Sequence, residues 1–519
     1  MQTNKEEMKS YILALIRRSS DFPAMSGTIN LINKFKSSEA SSVSEFANIV
    51  LKDYALTSKI LKVVNSFGYV QYGEVTTISR AIILLGFENV RNLALTLMLF
   101  EHFQKKGNNT TLIDTIVRSF FSAIIAQRIA QDTTFVDKEE AFICSLLHSF
   151  GKILVIFYMP DKLEEINKYC SQRNESEGIG ALAVMGMTYE EIGMLVAREW
   201  KLPSRIVSSM RNTHLSEITP NPSDTDKLSS IATFANSIAA ILSYGDEKDR
   251  EAGIVKLMAS FKDHFRKVEK TIGKIIQASV QELMEFSNIL KIDLNTVPFG
   301  KELFGWSSEM TNQGLRLADT ADKSFKSDSL FTIENFLEDE AKDTPEVIFT
   351  KGIQDVNNSI VSNFSLNDIV RIVLETMYRG MQLSGESRAL FLIKDTKLPL
   401  MAVRFGFGNG IDELKEWFKV ALDDSSDLFN MAISKRNDFI IKDITSPDVV
   451  AMLPGWFKDR VTDSVFLIIL PIIVNAKPLG MFYIEGEKKS IQNLSGGLLN
   501  YLKIMRDQTV LAIKQKQGY

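Results

Sequence analysis

The sequence predicts a multidomain chain: an all-α helical bundle followed by an α+β domain built on one antiparallel sheet. Three observations carry that reading. Nearly 300 residues from the first show apolar spacing of the i, i+3, i+4, i+7 kind, with no run that alternates as a strand does. Residues 307–346 are polar, charged and weakly periodic. From about residue 350, short apolar runs bounded by turn residues appear among helical stretches. A chain of 519 residues also exceeds the ~250–300 at which single cores split, so at least two domains are expected. The boundaries fall at 1–300 for the helical part, 301–346 for a charged and partly helical linker, and 347–519 for the mixed part.

The helical elements follow in order. Lys5–Ser19 is amphipathic, and Pro23 breaks the loop after it. Thr28–Ser37 and Val43–Lys52 are short helices, the second preceded by the Ser-rich run SSEASSVSE, which suits a helix cap. Tyr54–Ser66 places Leu56, Ile60, Leu61 and Val64 on one face. Ile78–Leu85 and Asn89–Phe100 are separated at Gly86. Leu112–Gln131 comes next, then the run Glu140–Phe157, EAFICSLLHSFGKILVIF, read as one buried helix. Leu163–Arg173, Thr188–Trp200, Arg205–Asn212, Leu228–Leu242, Asp249–Lys262 and Phe265–Leu290 complete the bundle, with Leu202-Pro203 forcing a turn. Within the linker a short helix is expected around Ile333–Ala341.

In the mixed part, Val347–Gln382 holds two helical stretches. Ala389–Lys394 and Leu400–Phe405 read as strands, Leu414–Ala421 as a helix and Asp438–Lys442 as a strand. Ser464–Val474 and Leu479–Glu485 form a hairpin across Asn475-Ala476-Lys477-Pro478, and Gly497–Lys514 is a final helix.

Composition excludes several functions. The formal net charge of −4 argues against broad nucleic-acid binding, which requires a basic face. Two cysteines, Cys144 and Cys170, suit a reducing compartment and cannot build a zinc knuckle alone. The four histidines, His102, His148, His214 and His264, starve any His-rich metal site. The polar N-terminus has no signal-peptide apolar core. The apolar runs Ala81–Phe100 and Ala141–Met159 carry charge and an interior glycine, so they read as buried helices rather than membrane spans. A cytoplasmic protein is expected, with no membrane and no nucleic-acid partner. No P-loop, GxGxxG or kinase motif marks an enzyme elsewhere in the chain.

The residues of the helical half resemble a known family. Asp53-Tyr-Ala-Leu-Thr-Ser with Val64-Asn65-Ser66, Thr77-Ile-Ser-Arg-Ala81 to Gly86, Glu140-Ala-Phe with Leu146-Leu147-His148, Gly151-Lys152, and Tyr189-Glu-Glu-Ile-Gly193 with Trp200-Lys-Leu-Pro203 are similar to the blocks of the HDOD domain, over about residues 20–290. That resemblance implies descent from HD-type metal phosphohydrolases, which aim a first His, a His-Asp pair and a distal Asp at one cavity so that a metal-bound water becomes hydroxide. At the corresponding positions stand Arg118, His148-Ser149 and Asn236, with Tyr189 and His214 at auxiliary positions. Arg, Ser and Asn are poor substitutes for imidazole and carboxylate ligands. The resemblance therefore implies a degenerate HD domain with no catalytic residues, no metal and no cofactor. Read alone, His148 is a core histidine held by one ring nitrogen. His214 is a surface residue at a helix C-terminus, and Lys152 extends to solvent. A nucleotide phosphate held by Arg118 is a further reading.

Residues 350–515 resemble a GAF domain in Ser365-Leu-Asn-Asp-Ile369, the strands around Ala389–Phe405, Phe439 to Ile444, and Leu470-Pro471-Ile472 followed by Pro478-Leu479-Gly480. GAF domains often hold a small molecule between sheet and short helix, which nominates Phe405, Phe407, Asp443, Trp456 and Phe457. Read without the resemblance, these aromatics are core and loop residues. No cysteine lies in this half and no histidine after His264, which removes thioether-linked bilins and His-ligated haem. The helices Val347–Asn363 and Gly497–Lys514 would pair two protomers into a homodimer. The combined expectation is a non-enzymatic bacterial signalling protein, an HDOD module that binds a regulatory protein partner coupled to a GAF-like sensory or dimerisation module. The alternative is a residual metal-dependent phosphodiesterase acting on a nucleotide or cyclic dinucleotide.

Overall fold

The structure, a computed structural model, describes residues 2–18, 32, 40–66, 73–106, 109–133, 136–213, 223–261, 268, 271–290, 292–304, 344–383, 387–423, 425–458, 460, 465–486 and 495–517. The expected helices Thr28–Ser37 and Ile333–Ala341, and His214, lie in whole or in most part outside the described residues.

The chain divides into two compact units: Met1–Lys34 with Arg91–Leu337, and Phe35–Val90 with Glu338–Tyr519. This division crosses the line drawn from sequence at residue 300, because Phe35–Val90 belongs with the C-terminal unit.

In chain order the helices are α1 (Gln2–Arg18), α2 (Ala40–Leu51), α3 (Tyr54–Ser66), α4 (Ile78–Leu85), α5 (Phe87–Lys106), α6 (Thr110–Thr133), α7 (Lys138–His148), α8 (Phe150–Tyr158), α9 (Pro160–Arg173), α10 (Glu177–Met185), α11 (Tyr189–Glu199), α12 (Ser204–Ser209), α13 (Asp224–Leu242), α14 (Glu247–Ser260) and α15 (Ile272–Leu290). The first unit is a helical bundle. Helix α6 is its axis, packed against α7, α13 and α15, while α8 packs on α11 and α9 on α10. Helix α1 is fastened to α11 by the ion pairs Lys5–Glu191 and Arg17–Glu199.

Two features of this unit differ from the sequence reading. The run Glu140–Phe157 is two helices, broken at Ser149 (φ −88°, ψ 7°). Apolar periodicity runs through the break because both halves bury the same kind of residue, so it carried no signal. Lys138–Tyr158 is long and apolar enough to cross a membrane by length and composition, and 72% of its apolar window is buried inside the protein. Helix α10 has no counterpart in the sequence reading. Its residues EGIGALAVM hold two glycines, and at Gly180 it comes close to α9, where a Cβ would stand 2.4 Å from Cys170 Sγ.

In the second unit α2, α3 and α4 pack together and join α16 (Pro345–Val361) and α17 (Leu366–Gly380) and a sheet. The sheet has strands β1 (Arg388–Lys394), β2 (Leu400–Gly408), β3 (Lys419–Ala421), β4 (Phe439–Ile441), β5 (Phe466–Val474) and β6 (Lys477–Gly486). All pairs are antiparallel, in the order β3-β2-β1-β6-β5-β4, curled into a half-barrel. The β5–β6 hairpin closes on the two-residue turn Asn475-Ala476, both at positive φ (50° and 64°), which matches the twist of the paired strands. The helix expected over Leu414–Ala421 is instead α18 (Ile411–Trp417) followed by β3, since Lys419–Ala421 pairs with Leu400–Ala402. Helices α16, α17 and α22 (Gly496–Gln517) cover one face. The other face carries α18, α19 (Leu428–Lys435), α20 (Pro447–Met452) and α21 (Gly455–Lys458) around an aromatic core.

Candidate functional site

The positions that correspond to HD ligands sit in the helical unit. Asp137 caps α7 by accepting the Glu140 N–H at 2.8 Å, and Glu139 and Glu140 suit the positive end of the helix. His148 ends the helix and is buried, with Nε2 3.5 Å from Thr233 Oγ1 on α13. Burial pulls its pKa down to about 4, opposed by the Glu190 carboxylate, so the ring is neutral near pH 7. Glu190 in turn accepts a hydrogen bond from Asn212 Nδ2.

Ser149 and Asn236 are brought together. Ser149 Oγ donates to Asn236 Oδ1 at 3.2 Å, and Asn236 Nδ2 donates to the Ser145 carbonyl at 3.2 Å and to that of Ala232 at 2.9 Å. This is a closed set of uncharged groups that binds the end of α7 to α13. Arg118 lies apart from it. Its guanidinium pairs with Asp114 at 2.6 Å, meets the Tyr244 hydroxyl at 3.4 Å and lies over the Phe299 ring at 5.5 Å. Burial opposes the Arg118 charge, but Tyr244 and Asp114 outweigh it and raise its pKa. Asp114 also accepts the Phe299 N–H at 2.7 Å. Among the described residues no hydrogen bond or ion pair links Arg118 to His148, Ser149 or Asn236.

Tyr189 opens α11, after a capping box in which Thr188 and Glu191 exchange hydrogen bonds. Its carbonyl lies against Gly151, where a Cβ would come within 1.7 Å, and Gly193 approaches from the same helix. The Tyr189 hydroxyl is buried without a partner among the described residues, and burial pushes its pKa up. Lys152, expected to extend to solvent, pairs with Glu177. Glu190 and Thr233, which face His148, were missed by sequence reasoning. Glu190 lay inside the quoted Tyr189–Gly193 block, the one signal available. One neutral imidazole, two hydroxyls, an amide and a guanidinium already paired do not fit the divalent cation that an HD centre would hold. Among the described residues no group of three or more His, Cys, Asp or Glu is arranged to take one.

The aromatics nominated in the C-terminal unit separate onto two faces of the sheet. Phe391 pairs with Phe405 but Leu392 with Val403, so Arg404 is an extra residue in β2 and the alternation slips by one. Met401 and Val403 join the aromatic core, whereas Phe405 turns to the helical face, stacked on Phe391 at 6.3 Å with the Arg371 guanidinium 4.5 Å from its ring. Phe407 lies 6.1 Å from the Tyr378 ring of α17. Trp456 and Phe457 are on the opposite face, packed with Phe418, Phe429 and Tyr483. The Tyr483 hydroxyl donates to the buried Glu485 carboxylate at 2.7 Å, which pairs with Arg388 at 2.8 Å. Asp443 is exposed and accepts both the hydroxyl and the N–H of Thr445, which lower its pKa.

A family model, the HDOD domain, matches residues 22–216. This segment is an HDOD domain. An uncharacterized protein of Treponema pallidum (strain Nichols) is 22% identical over 265 residues, which is 51% of this chain and 50% of that protein. The chain thus spans about half the length of the curated relative it matches. A solved HDOD domain protein from Geobacter sulfurreducens is 18% identical, covering 55% of this chain and 99% of that one with a TM-score of 0.37. A solved GAF domain from an Acinetobacter phosphoenolpyruvate-protein phosphotransferase is 14% identical, covering 33% of this chain and 93% of that one with a TM-score of 0.27.

The HDOD segment is shared between the two compact units, and its part in the second is held by buried charge. Glu375 of α17 accepts the N–H groups of Ile78 at 2.6 Å and Ser79 at 2.9 Å. Burial raises the Glu375 pKa, against the pull of Arg379 and these donors. Arg80 and Asp355 form an ion pair with neither side chain exposed, and burial lowers the Arg80 pKa to about 10. Asp355 also accepts the Thr76 hydroxyl at 2.7 Å and its N–H at 3.1 Å. Asn48 of α2 brackets β2 by hydrogen bonds to the Gly406 carbonyl and the Gly408 N–H.

Proposed function

We propose that this chain is a non-catalytic signalling protein. Its HDOD domain serves as a binding module for a regulatory protein, and its C-terminal α+β unit is a GAF-like module that acts on Phe35–Val90. One observation carries the non-catalytic part: Ser149 Oγ donates to Asn236 Oδ1, and the Asn236 amide N–H groups go to the Ser145 and Ala232 carbonyls, beside a neutral His148. Hydrolytic HD chemistry needs carboxylates in those two places to hold a cation with open positions. The regulatory part is supported by the clasp of Glu375 and Asp355 on the HDOD residues Thr76–Arg80. A change in the arrangement of α16 and α17 then acts directly on a piece of the HDOD domain. Such coupling requires that the regulating ligand prefer one of two states.

The test is elemental analysis and hydrolysis assays on the full-length chain after incubation with Mn²⁺ or Mg²⁺, using cyclic dinucleotides as substrates. No stoichiometric metal and no turnover are expected. Stoichiometric metal that disappears in His148→Ala, together with hydrolysis, would replace this reading with that of a phosphodiesterase.

A further inference from the structure

We propose that a cleft in the second unit, where α3 and the segment Glu74–Thr76 meet α16 and α17, is a binding site for a small oxyanion, a phosphate or the phosphate group of a small ester. Its lining includes Lys62, Asn65, Glu74, Thr76, Lys351 and Arg379. Three cations and one carboxylate leave two positive charges in excess. Lys351 shares its charge with Glu74 at 2.9 Å, a solvent-exposed pair that a doubly charged ligand can displace. Arg379 is positioned by donating to the Thr76 carbonyl, and its charge is further held by the buried Glu375. Lys62 makes no hydrogen bond or ion pair among the described residues, so its ammonium is available. The cleft wall is rigid behind these groups. Asn65 accepts the Val75 N–H at 2.7 Å and donates to the Val75 carbonyl at 2.9 Å, and Thr76 is fixed by Asp355.

Size selects the ligand. The cavity volume is 140 Å³. At about 30 Å³ per water it holds a handful of solvent molecules, below the ~300 Å³ of pockets that enclose drug-sized ligands. A tetrahedral oxyanion with its first waters fits within that volume. The geometry also gives the site a consequence. Lys62 comes from the HDOD segment, while Lys351 and Arg379 come from α16 and α17. An anion bridging them ties α3 to those helices, adding to the Glu375 and Asp355 clasp.

The experiment is calorimetric titration of the full-length chain with inorganic phosphate and, separately, with glycerol phosphate, at constant ionic strength. Saturable single-site binding is expected. Lys62→Glu should weaken it at least about tenfold, the scale of one charge-assisted hydrogen bond. Lys52→Glu, the same charge change on an exposed lysine away from the cleft, should leave it unchanged. Glu74→Gln should tighten it by removing the competitor for Lys351. Tighter binding of the ester identifies a phosphorylated small molecule as the ligand, and equal binding identifies free phosphate. Absence of saturation, or equal weakening by Lys62→Glu and Lys52→Glu, overturns the site. Neither outcome bears on whether His148 holds a metal, so this site and the non-catalytic reading fail separately.

Discussion

Glu375 stands at the N-terminus of the helix that begins at Ile78, its two carboxylate oxygens taking the N–H groups of Ile78 and Ser79 at 2.6 and 2.9 Å. A carboxylate 297 residues away in sequence thus does the work of a local cap, where the helix dipole favours negative charge. Replacing Glu375 with Ala strands two buried donors, and the expected loss is about 3 kcal/mol. It should be read as faster hydrogen exchange at the amides of Ile78–Leu85 and a lower urea midpoint. A change below about 0.5 kcal/mol, the size of ordinary surface substitutions, would show that the cap is not a determinant of this junction.

The acid response of the helical unit should trace to His148. Its ring has a pKa near 4 in the fold against an ordinary value of 6.5, because burial disfavours the cation. A depressed folded pKa means the unfolded chain binds the proton more readily. The stability is complete above pH 6.5 and lost as pH falls towards 4. The whole interval is worth about 3 kcal/mol at 1.36 kcal/mol per decade. Urea unfolding followed from pH 7 to pH 4 should show wild type losing this much relative to His148→Gln, whose side chain does not titrate there. Parallel pH profiles for the two proteins would place the acid sensitivity elsewhere.

Much of the fold was legible because local and tertiary signals agree in particular segments. Tyr54–Ser66 and Ile78–Leu85 were read to the residue, each with a stripe that is buried in the fold and, for the second, a Gly86 at positive φ that ends it. The hairpin of β5 and β6 was read from two apolar runs and the turn residues between them. Hidden features were those in which one residue changes a register. Arg404 is a β-bulge that no periodicity announces, and it turns Phe405 and Phe407 away from the face of Trp456 and Phe457, with which the GAF resemblance had grouped them. Ser149 interrupts a helix without interrupting its apolar pattern. The His148, Ser149 and Asn236 grouping was available only through resemblance, since the latter two are 87 residues apart. The buried Arg80, Asp355 and Glu375 were missed altogether. The one sequence signal was an arginine inside the apolar run TTISRAIILLG, a charge that must find a partner if buried.

Gly151 is constrained by close approach rather than by backbone angle. A Cβ there would stand 1.7 Å from the Tyr189 carbonyl oxygen and 2.8 Å from the Gly193 nitrogen, both backbone atoms that cannot swing aside. Gly151→Ala must push α8 and α11 apart, and the expected cost exceeds about 3 kcal/mol, at the upper end of overpacking effects. Gly178→Ala is the matched control, because nothing lies within 4 Å of its added carbon. Circular dichroism melts of the two variants should differ sharply. Equal melting would mean that the helices separate at little cost.

The division of the HDOD segment between two compact units predicts how a shortened chain behaves. Thr76, Ile78, Ser79 and Arg80 have their partners in Asp355 and Glu375, and Arg80 is an ion with no exposed side-chain surface. Ending the chain after Phe304 removes both carboxylates and takes the ion-pair partner from a buried guanidinium, a defect worth about 3–5 kcal/mol. The segment has few other means of meeting that cost, since α2 and α4 also pack on β2 and α17. In the shortened chain the amides of Tyr54–Ser66 and Ile78–Leu85 should exchange at nearly unprotected rates, while those of Thr110–Thr133, whose partners α7, α13 and α15 remain, keep their protection. Within the full chain, Arg80→Met should release the same amides and the double change Arg80→Met with Asp355→Leu should restore much of their protection, because paired apolar groups replace a buried ion pair without stranding a charge. Full protection of Tyr54–Ser66 and Ile78–Leu85 in the shortened chain would show instead that these helices fold with residues 91–304.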